Sequence, residues 1–248
     1  VAPSGLGKKP GPSHSHFPLE TSLSFLPIGY RTNCNYLSKT LKPVFVWPKG
    51  YEAASAEHKQ TLKKIKEKVE GHSGQIPEQQ MVYVKLAQVP FVRTICETGF
   101  NGGHSTLIWL ATKNNTKVYS FDLGLHGYAR KMAEYLQTKY PGRLTVTWGD
   151  STKSMPEFLE QNPDVKCDLI IVDGGHTVPI ATEDFKNFYR MSNVQNVVVF
   201  DDYPTRKGNG VNLAPVWESQ LKKGSLVELY GCYQEVWRGF ALGKFLFN

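Results

Sequence analysis

From residue 93 onward, short apolar runs alternate with longer stretches whose apolar residues recur at helical spacing. The short runs predict strands at 93–97, 117–122, 144–148, 168–173 and 196–201, and the longer stretches predict helices at 104–113, 126–140, 152–161 and 178–191. Strands that alternate with helices in this way indicate a parallel sheet with helices on both faces.

The last part of the chain breaks this alternation. Two strand-like runs, 226–230 and 239–247, follow one another without room for a long helix between them. Parallel neighbours need a long crossover connection, so these two runs must pair antiparallel. The expected fold class is therefore α/β, with a doubly wound, mostly parallel, seven-stranded sheet that ends in an antiparallel hairpin.

The residues before 93 follow a different pattern. Residues 1–20 are rich in Pro, Gly, Ser and His and predict a flexible tail. An apolar run at 41–47 is strand-like but interrupted by proline, whereas 52–70 and a stretch that starts near Pro77 have helical spacing. The expected parts of the chain are a tail at 1–20, an N-terminal helical extension at 21–92 and the α/β domain at 93–248.

The composition is that of an ordinary folded protein. Of 248 residues, 40% are hydrophobic and 21% are charged, which excludes global disorder. The longest apolar runs, such as 169–172 and 197–200, fall far short of the roughly 20 residues that a membrane span needs. The net charge of +7 favours anionic partners without naming one.

The four cysteines contain no C-x-x-C pair, which argues against a zinc site. Cys96 and Cys167 lie in or beside apolar runs and are expected to be buried thiols, whereas Cys34 and Cys232 could pair only if the fold brings them together. A sequon at Asn114 would permit glycosylation in a secretory compartment. The default expectation is a cytoplasmic protein, with the secretory-pathway lumen as the alternative.

A glycine-rich segment joins the first strand of the domain to the helix that follows it. Glycines at such a turn let the backbone approach a ligand closely, and the helix N-terminus adds free N–H groups. The residues expected to contact a cofactor here are Glu97, Gly99, Asn101, Gly103 and Ser105. A tight strand-to-helix turn without a ligand would use glycines in the same way.

Acidic residues follow the next two strands. Asp122 stands 23 residues after Gly99, an offset at which a carboxylate can accept hydrogen bonds from both hydroxyls of a ribose. Asp150 follows the third strand, where it could meet an adenine amino group. Either residue could instead cap the helix that comes after it.

The fourth and fifth strands end in Asp173, Asp201 and Asp202. The carboxyl ends of strands form the ligand crevice of a doubly wound sheet, so these carboxylates are expected to converge on a divalent cation, while Asp173 also faces the cofactor. Oxygen ligands favour Mg²⁺, Mn²⁺ or Ca²⁺ over zinc. His176, three residues after Asp173, is a candidate general base, and Asp173 is expected to be catalytic together with it. Alternatively, Asp201 or Asp202 caps the next segment and His176 is a surface residue.

Together these residues resemble the class I S-adenosylmethionine-dependent methyltransferases. The resemblance covers about 93–248 and includes the terminal hairpin, which that family adds to a Rossmann-like sheet. The matching cofactor path is Glu97, Gly99 and Gly103, then Asp122, then Asp150. The resemblance implies S-adenosylmethionine as the cofactor.

The turn Asp-Gly-Gly-His at 173–176, taken with the acidic pair at 201–202, is similar to that of the macrocin and mycinamicin O-methyltransferases. In that group Mg²⁺ is held by aspartates at the positions of Asp173, Asp201 and Asp202, and the histidine that matches His176 is the proposed base. Some members add an acidic ligand from an N-terminal segment, for which Glu78 is a candidate. The resemblance implies methylation of a small-molecule hydroxyl, on a sugar, a diol or a catechol, and a homo-oligomer is compatible with the sequence.

Three other functions compete. The isoelectric point of about 9.1 suggests a nucleic-acid methyltransferase, but base-modifying members usually carry Asn/Asp-Pro-Pro-Tyr where this chain has Asp-Gly-Gly-His. A non-catalytic binding protein could retain the fold, although the intact acidic set argues against one. A nicotinamide dehydrogenase would be expected to carry G-x-G-x-x-G, which is missing.

The loop at 204–210 is predicted to be a lid over the acceptor, with an ordinary surface loop as the alternative.

Overall fold

The computed structural model describes residues 19–70, 73–203, 213–233 and 239–247. The strands in these residues are β1 (Tyr30–Asn33), β2 (Thr94–Thr98), β3 (Lys117–Asp122), β4 (Leu144–Trp148), β5 (Cys167–Val172), β6 (Ser192–Asp201), β7 (Leu226–Tyr233) and β8 (Gly239–Phe245). The α-helices are α1 (Leu19–Ser22), α2 (Asn35–Thr40), α3 (Tyr51–Ile65), α4 (Pro77–Gln88), α5 (His104–Thr112), α6 (Gly127–Lys139), α7 (Ser151–Gln161), α8 (Val178–Met191) and α9 (Ala214–Lys223).

The strands form one sheet in the order β1-β7-β8-β6-β5-β2-β3-β4. β8 pairs antiparallel with both β6 and β7, and the other neighbouring pairs are parallel. The predicted α/β class, the mostly parallel sheet and the C-terminal hairpin are therefore confirmed. The sheet has eight strands rather than seven, because β1 of the N-terminal extension pairs with β7 at the edge.

The core lies on both faces of this sheet. Along β5, Leu169 and Ile171 belong to one apolar cluster while Ile170 and Val172 belong to the other, as expected when successive side chains of a strand point to opposite faces. The first cluster includes buried residues of α3 to α6, and the second includes those of α7 to α9. Both faces are therefore covered by helices, which makes the carboxyl edge of the parallel strands the place for a ligand.

The N-terminal extension is packed onto the domain. α4 contacts α5, and α3 contacts both α5 and α6. Leu62 of α3 and Met81 and Val84 of α4 are buried in the same cluster as the sheet. The extension is thus placed to contribute to the site, whereas the predicted division at residue 92 stays a prediction.

Two expectations for the extension are wrong. The run at 41–47 is not a strand: Lys42–Val44 is a 3₁₀-helix with Pro43 in its first turn, and proline lacks the N–H that a sheet ladder requires. The helix predicted at 52–70 ends at Ile65, where Lys66 adopts a left-handed conformation with φ of 59°. Neither β1 nor α9 was predicted.

The cysteines form two disulfides. Cys34, next to β1, bonds to Cys232 of β7, with their Cα atoms 5.0 Å apart, so the pairing that the sequence left open is present. Cys96 of β2 bonds to Cys167 of β5, with their Cα atoms 5.8 Å apart. The expectation that Cys96 and Cys167 are free thiols is therefore wrong, because the topology places β2 and β5 side by side.

The predicted tail at 1–20 lies almost entirely outside the described residues, and so does the predicted lid at 204–210. Within the described part of the chain, no helix has the length and apolar character needed to cross a membrane.

Candidate active site

A cavity of about 420 Å³ opens at the carboxyl edge of the sheet. Its walls include the carboxyl ends of β2 and β3 and the residues that directly follow β2, β3, β4 and β5. These segments are 98–101, 121–123, 149–151 and 173–176. The rule that ligands bind at the carboxyl ends of parallel strands therefore locates this cavity correctly. Its volume is within the usual range for a small-molecule site.

The glycine-rich turn forms one wall because its backbone adopts conformations that favour glycine. Gly99 has φ of +89°, and a Cβ placed on it would lie 1.9 Å from the carbonyl oxygen of Asp173. Gly103, with φ of +73°, precedes the first turn of α5, and Asn101 has φ of +49°. Gly99 and Asn101 line the cavity, and so does Ser105 of α5. The turn thus fits closely against the segment that follows β5.

Glu97 lies beneath this turn and is buried. Its carboxylate accepts hydrogen bonds from Ser105 Oγ at 2.8 Å, Trp109 Nε1 at 2.9 Å and the hydroxyl of Thr106. Burial raises the pKa of Glu97, and these three donors oppose the rise. Glu97 therefore fastens α5 to the end of β2, whereas Gly99, Asn101 and Ser105 are the predicted cofactor residues of this segment that reach the cavity wall.

Asp122 joins two turns at the cavity. Its Oδ2 accepts a hydrogen bond from the backbone N–H of Asn101 at 2.9 Å, and its Oδ1 accepts one from Gly124 at 2.7 Å. The carboxylate lines the cavity while it holds the glycine-rich turn in place. This position is consistent with the predicted ribose contact, which stays a prediction.

Asp150 also lines the cavity, and it caps α7. Its Oδ1 accepts hydrogen bonds from the backbone N–H of Thr152 at 3.0 Å and from Thr152 Oγ1 at 2.8 Å. These hydrogen bonds lower the pKa of Asp150. The capping alternative is therefore present in the structure, and the contact with an adenine stays a prediction.

Three of the four predicted metal and base residues converge beside the cavity, which Asp173 and His176 line. Ligand atoms of Asp173, His176 and Asp202 all lie within 4.8 Å of one another. His176 Nε2 is 3.3 Å from Asp202 Oδ2, and the His176 side chain is 48% exposed while that of Asp202 is 12% exposed. The cluster is thus open to a substrate on its histidine side.

Asp201 faces a different neighbour. It is 5% exposed, and its Oδ1 accepts a hydrogen bond from Gln79 Nε2 of α4 at 2.6 Å. Alternation along β6 accounts for this, because Val199 and Asp201 point to the face on which α4 packs. Glu78, the candidate extra ligand, accepts a hydrogen bond from the hydroxyl of Ser38. Neither Asp201 nor Glu78 belongs to the described cluster of Asp173, His176 and Asp202.

The N-terminal extension supplies a wall that the sequence did not predict. Glu70 lines the cavity, and its Oε1 is 3.2 Å from His126 Nε2. The backbone N–H of Glu70 donates to the hydroxyl of Tyr128 at 3.5 Å, and this hydroxyl donates to Asn101 Oδ1 at 2.8 Å. No local motif signals these contacts, because they join parts of the chain that only the tertiary fold brings together.

Asp184 of α8 is fully buried behind the turn that carries Asp173 and His176. A Cβ placed on Gly174 would lie 2.9 Å from Asp184 Oδ2 and 2.9 Å from Thr98 Oγ1. Among the described residues, neither carboxylate oxygen of Asp184 has a hydrogen-bond partner of normal geometry. Burial raises the pKa of Asp184 to about 6, and the nearby hydroxyls of Ser151 and Thr98 oppose that rise only in part.

Asp184→Asn is expected to stabilise the protein at neutral pH and to change its stability little near pH 4. Because the pKa rises from 3.8 unfolded to about 6 folded, the folded state binds more protons between these values, and stability falls as pH increases. The full cost above pH 6 is about 3 kcal/mol, or roughly 6–12 °C in melting temperature. Thermal melts from pH 4 to 8 check this, with exposed Asp164→Asn as the control. A difference between Asp184→Asn and the parent chain that does not grow with pH would contradict the prediction.

Comparison with known proteins agrees with this geometry. Residues 96–203 match a protein family described as a methyltransferase domain. No curated protein matches the sequence. Similar structures include the O-methyltransferase TomG from Streptomyces achromogenes, involved in tomaymycin synthesis and solved with S-adenosylmethionine. TomG is 17% identical, with a TM-score of 0.61 over 86% of this chain and 95% of that one.

Two further structures show how widely the fold is used. An O-methyltransferase from Bacillus cereus, solved with S-adenosylhomocysteine, is 16% identical, with a TM-score of 0.60 over 78% of this chain and 91% of that one. A ribosomal protein L11 methylase from Lactobacillus delbrueckii is 17% identical, with a TM-score of 0.51 over 72% of this chain and 82% of that one. At these identities the likeness shows the fold alone, so the acceptor must be argued from the site.

Proposed function

We propose that this chain is a class I S-adenosylmethionine-dependent methyltransferase that methylates a hydroxyl group of a small molecule. The match of residues 96–203 to a methyltransferase-domain family supports this proposal. The acceptor is a sugar, a diol or a catechol. A divalent cation assists the reaction, and Mg²⁺ is the preferred candidate. The observation that carries this proposal is the convergence of Asp173, His176 and Asp202 at the edge of the cavity. A hydroxyl acceptor needs a base and benefits from a cation, and this cluster offers groups for both.

The cavity fits the cofactor. Asp122 presents a carboxylate at the end of β3, the position from which such folds bind a ribose, and the glycine-rich turn and the start of α5 form the adjoining wall. We assign Gly99, Asn101, Ser105, Asp122 and Asp150 to the cofactor. When bound, S-adenosylmethionine supplies an electrophilic methyl group on a positively charged sulfur.

Asp122→Asn is expected to weaken binding of S-adenosylhomocysteine about 10–100-fold, as for the loss of a hydrogen bond that involves a charged group. An amide has one accepting oxygen, so one of the backbone N–H groups of Asn101 and Gly124 would face an NH₂ group. The measurement is calorimetric titration. Asp164→Asn is the control, because it makes the same substitution at an exposed aspartate that does not line the cavity. Equal affinities for the two variants would contradict the role given to Asp122.

The donor set at the cavity edge fits a divalent cation. Asp173 and Asp202 contribute carboxylate oxygens, the ligands that Mg²⁺ and Mn²⁺ prefer. Asp202 is held in a left-handed conformation with φ of 57° directly after β6. We propose that these two carboxylates hold the cation. A bound cation would lower the pKa of a hydroxyl that coordinates it.

His176 is assigned the role of general base. If Nε2 carries its proton and donates it to Asp202, then Nδ1 has the lone pair that accepts the proton of the acceptor hydroxyl. Asp202 also stabilises the imidazolium that forms, as a carboxylate does in a catalytic triad. The exposed position of the imidazole leaves room for an acceptor beside the cavity. The turn after β5 packs closely against Gly99, and this contact fixes the position of His176 relative to the cofactor site.

The test of this proposal is calorimetric titration of S-adenosylhomocysteine and then Mg²⁺ into EDTA-treated protein, followed by methyl-transfer assays with diols, catechols and sugars. The expected result is cofactor binding, a Mg²⁺ site that Asp173→Asn removes, and Mg²⁺-dependent transfer to at least one acceptor class. Cofactor binding without a Mg²⁺ site would overturn the cation role. Absence of cofactor binding would overturn the enzyme assignment and favour a binding protein that retained the fold.

A further inference from the structure

The two disulfides account for every cysteine of the chain. All four residues are at most 3% exposed, and both Cα separations lie within the range that a disulfide spans. Disulfides persist in oxidising compartments and are rare in the reducing cytosol. Complete pairing inside the core is therefore the pattern of a protein that folds under oxidising conditions.

The sequon of the chain lies in a position that suits a glycan. Asn114 and Asn115 form an exposed turn between α5 and β3. N-linked glycans are bulky and need a surface position, which this turn provides. The third sequon residue, Thr116, is fully buried, and its hydroxyl has no hydrogen-bond partner in the part of the chain that the structure describes.

The sequon is also remote from the active site. β3 runs from Lys117, next to the sequon, to Asp122, which lines the cavity. A six-residue strand spans about 20 Å, so the turn lies at the opposite edge of the sheet. A glycan on Asn114 would leave both the cofactor cavity and the proposed cation site open.

From these observations we propose that the chain folds in an oxidising, glycosylating compartment, where Asn114 receives an N-linked oligosaccharide and both cysteine pairs are oxidised. This inference does not depend on the identity of the methyl acceptor. It replaces the cytoplasmic expectation with the lumenal alternative that the sequon suggested.

The chemistry uses co-substrates of such a compartment. The Asn114 amide nitrogen forms a bond to the anomeric carbon of an oligosaccharide donor linked to a polyprenyl pyrophosphate. The bond from that carbon to the pyrophosphate oxygen breaks, the lipid pyrophosphate leaves, and the amide gives up one proton. Each disulfide forms when two thiols lose two electrons and two protons to a protein disulfide, which is reduced to a dithiol.

The buried threonine sets the order of events. Transfer to a sequon requires access to its hydroxyl residue, and Thr116 is inaccessible once β3 is in the sheet. The glycan must therefore be added before this part of the chain folds. The refolded protein is expected to be a poor acceptor for the same transfer.

The experiment is synthesis of the chain from its complete coding sequence in a eukaryotic translation extract, with and without microsomes. With microsomes, we expect a glycan on Asn114 that peptide-N-glycosidase removes, leaving aspartate at position 114 by peptide mass analysis. Within residues 1–248 we also expect no reactive thiol in the denatured, unreduced protein and four after reduction, since this sequence has four cysteines. Without microsomes, the chain should carry no glycan.

A matched pair of variants isolates the sequon. Thr116→Ser keeps the sequon, whereas Thr116→Val removes it with little change in volume and loses no hydrogen bond of the described structure. We expect the glycan in the first variant and not in the second. Reactive thiols in the unreduced chain, or failure to enter microsomes, would overturn the compartment. An oxidised chain without a glycan in both the parent and Thr116→Ser would overturn the assignment of Asn114.

Discussion

Asp202→Asn is expected to reduce methyl transfer about 100-fold or more while leaving affinity for S-adenosylhomocysteine nearly unchanged. Substitution of groups that support a metal already costs about 10–100-fold, and Asp202 is proposed to bind the cation itself. Asparagine is the right replacement because Asp202 has φ of 57°, a conformation that asparagine tolerates well. The substitution therefore removes the negative charge of the side chain without disturbing the backbone conformation at this position. The measurement is initial rate against Mg²⁺ concentration, where excess Mg²⁺ should recover part of the activity.

Asp201→Asn is the matched control for this prediction. The sequence alone predicts that both aspartates bind the cation. In the structure, however, Asp201 accepts a hydrogen bond from Gln79. The asparagine variant keeps an oxygen that can accept this hydrogen bond, so its activity and Mg²⁺ dependence are expected to stay close to those of the parent chain. A loss in Asp201→Asn equal to that in Asp202→Asn would show that both carboxylates serve the cation.

Sequence patterns predicted the domain well because its strands are set by local composition. β3 and β4 have the predicted bounds, since each is a short β-prone run that follows a turn. β1 has no such pattern: Tyr30 and Arg31 are exposed, and pairing with β7 rather than burial of an apolar face makes the segment a strand. An edge strand that depends on a distant partner has no local signal in the sequence.

One rule predicted part of the site: the carboxyl ends of neighbouring parallel strands converge, and so do the side chains that follow them. That rule brought together Asp173, His176 and Asp202 from two neighbouring strands. It could not assign the direction of each side chain. Alternation along β6 already separates Asp201 from Phe200 beside it, so this signal was available in the sequence. The contacts of Glu70 depend on the path of the N-terminal extension and had no such signal.

His176→Gln is expected to lower kcat by roughly 100- to 10,000-fold, the usual contribution of a general base, with a much smaller change in the KM for the acceptor. Glutamine keeps a polar side chain at the cavity edge but cannot accept and carry a proton at neutral pH. The size of the loss should depend on the acceptor. A phenolic hydroxyl ionises more readily than an aliphatic one, so a catechol should suffer a smaller loss than a sugar or an aliphatic diol. Steady-state kinetics with both acceptor types measures this dependence.

His126→Gln is the control that distinguishes the loss of a general base from the loss of a cavity-lining histidine. His126 also lines the cavity, but it lies beside Glu70 of the N-terminal extension rather than in the cluster of Asp173 and Asp202. Its replacement is expected to change cofactor affinity modestly and to leave kcat and its dependence on acceptor acidity unaltered. An unchanged kcat in His176→Gln would show that His176 is not the general base. A large loss that is equal for catechols and aliphatic diols would instead make His176 a group that positions the acceptor, because positioning does not depend on how readily the hydroxyl ionises.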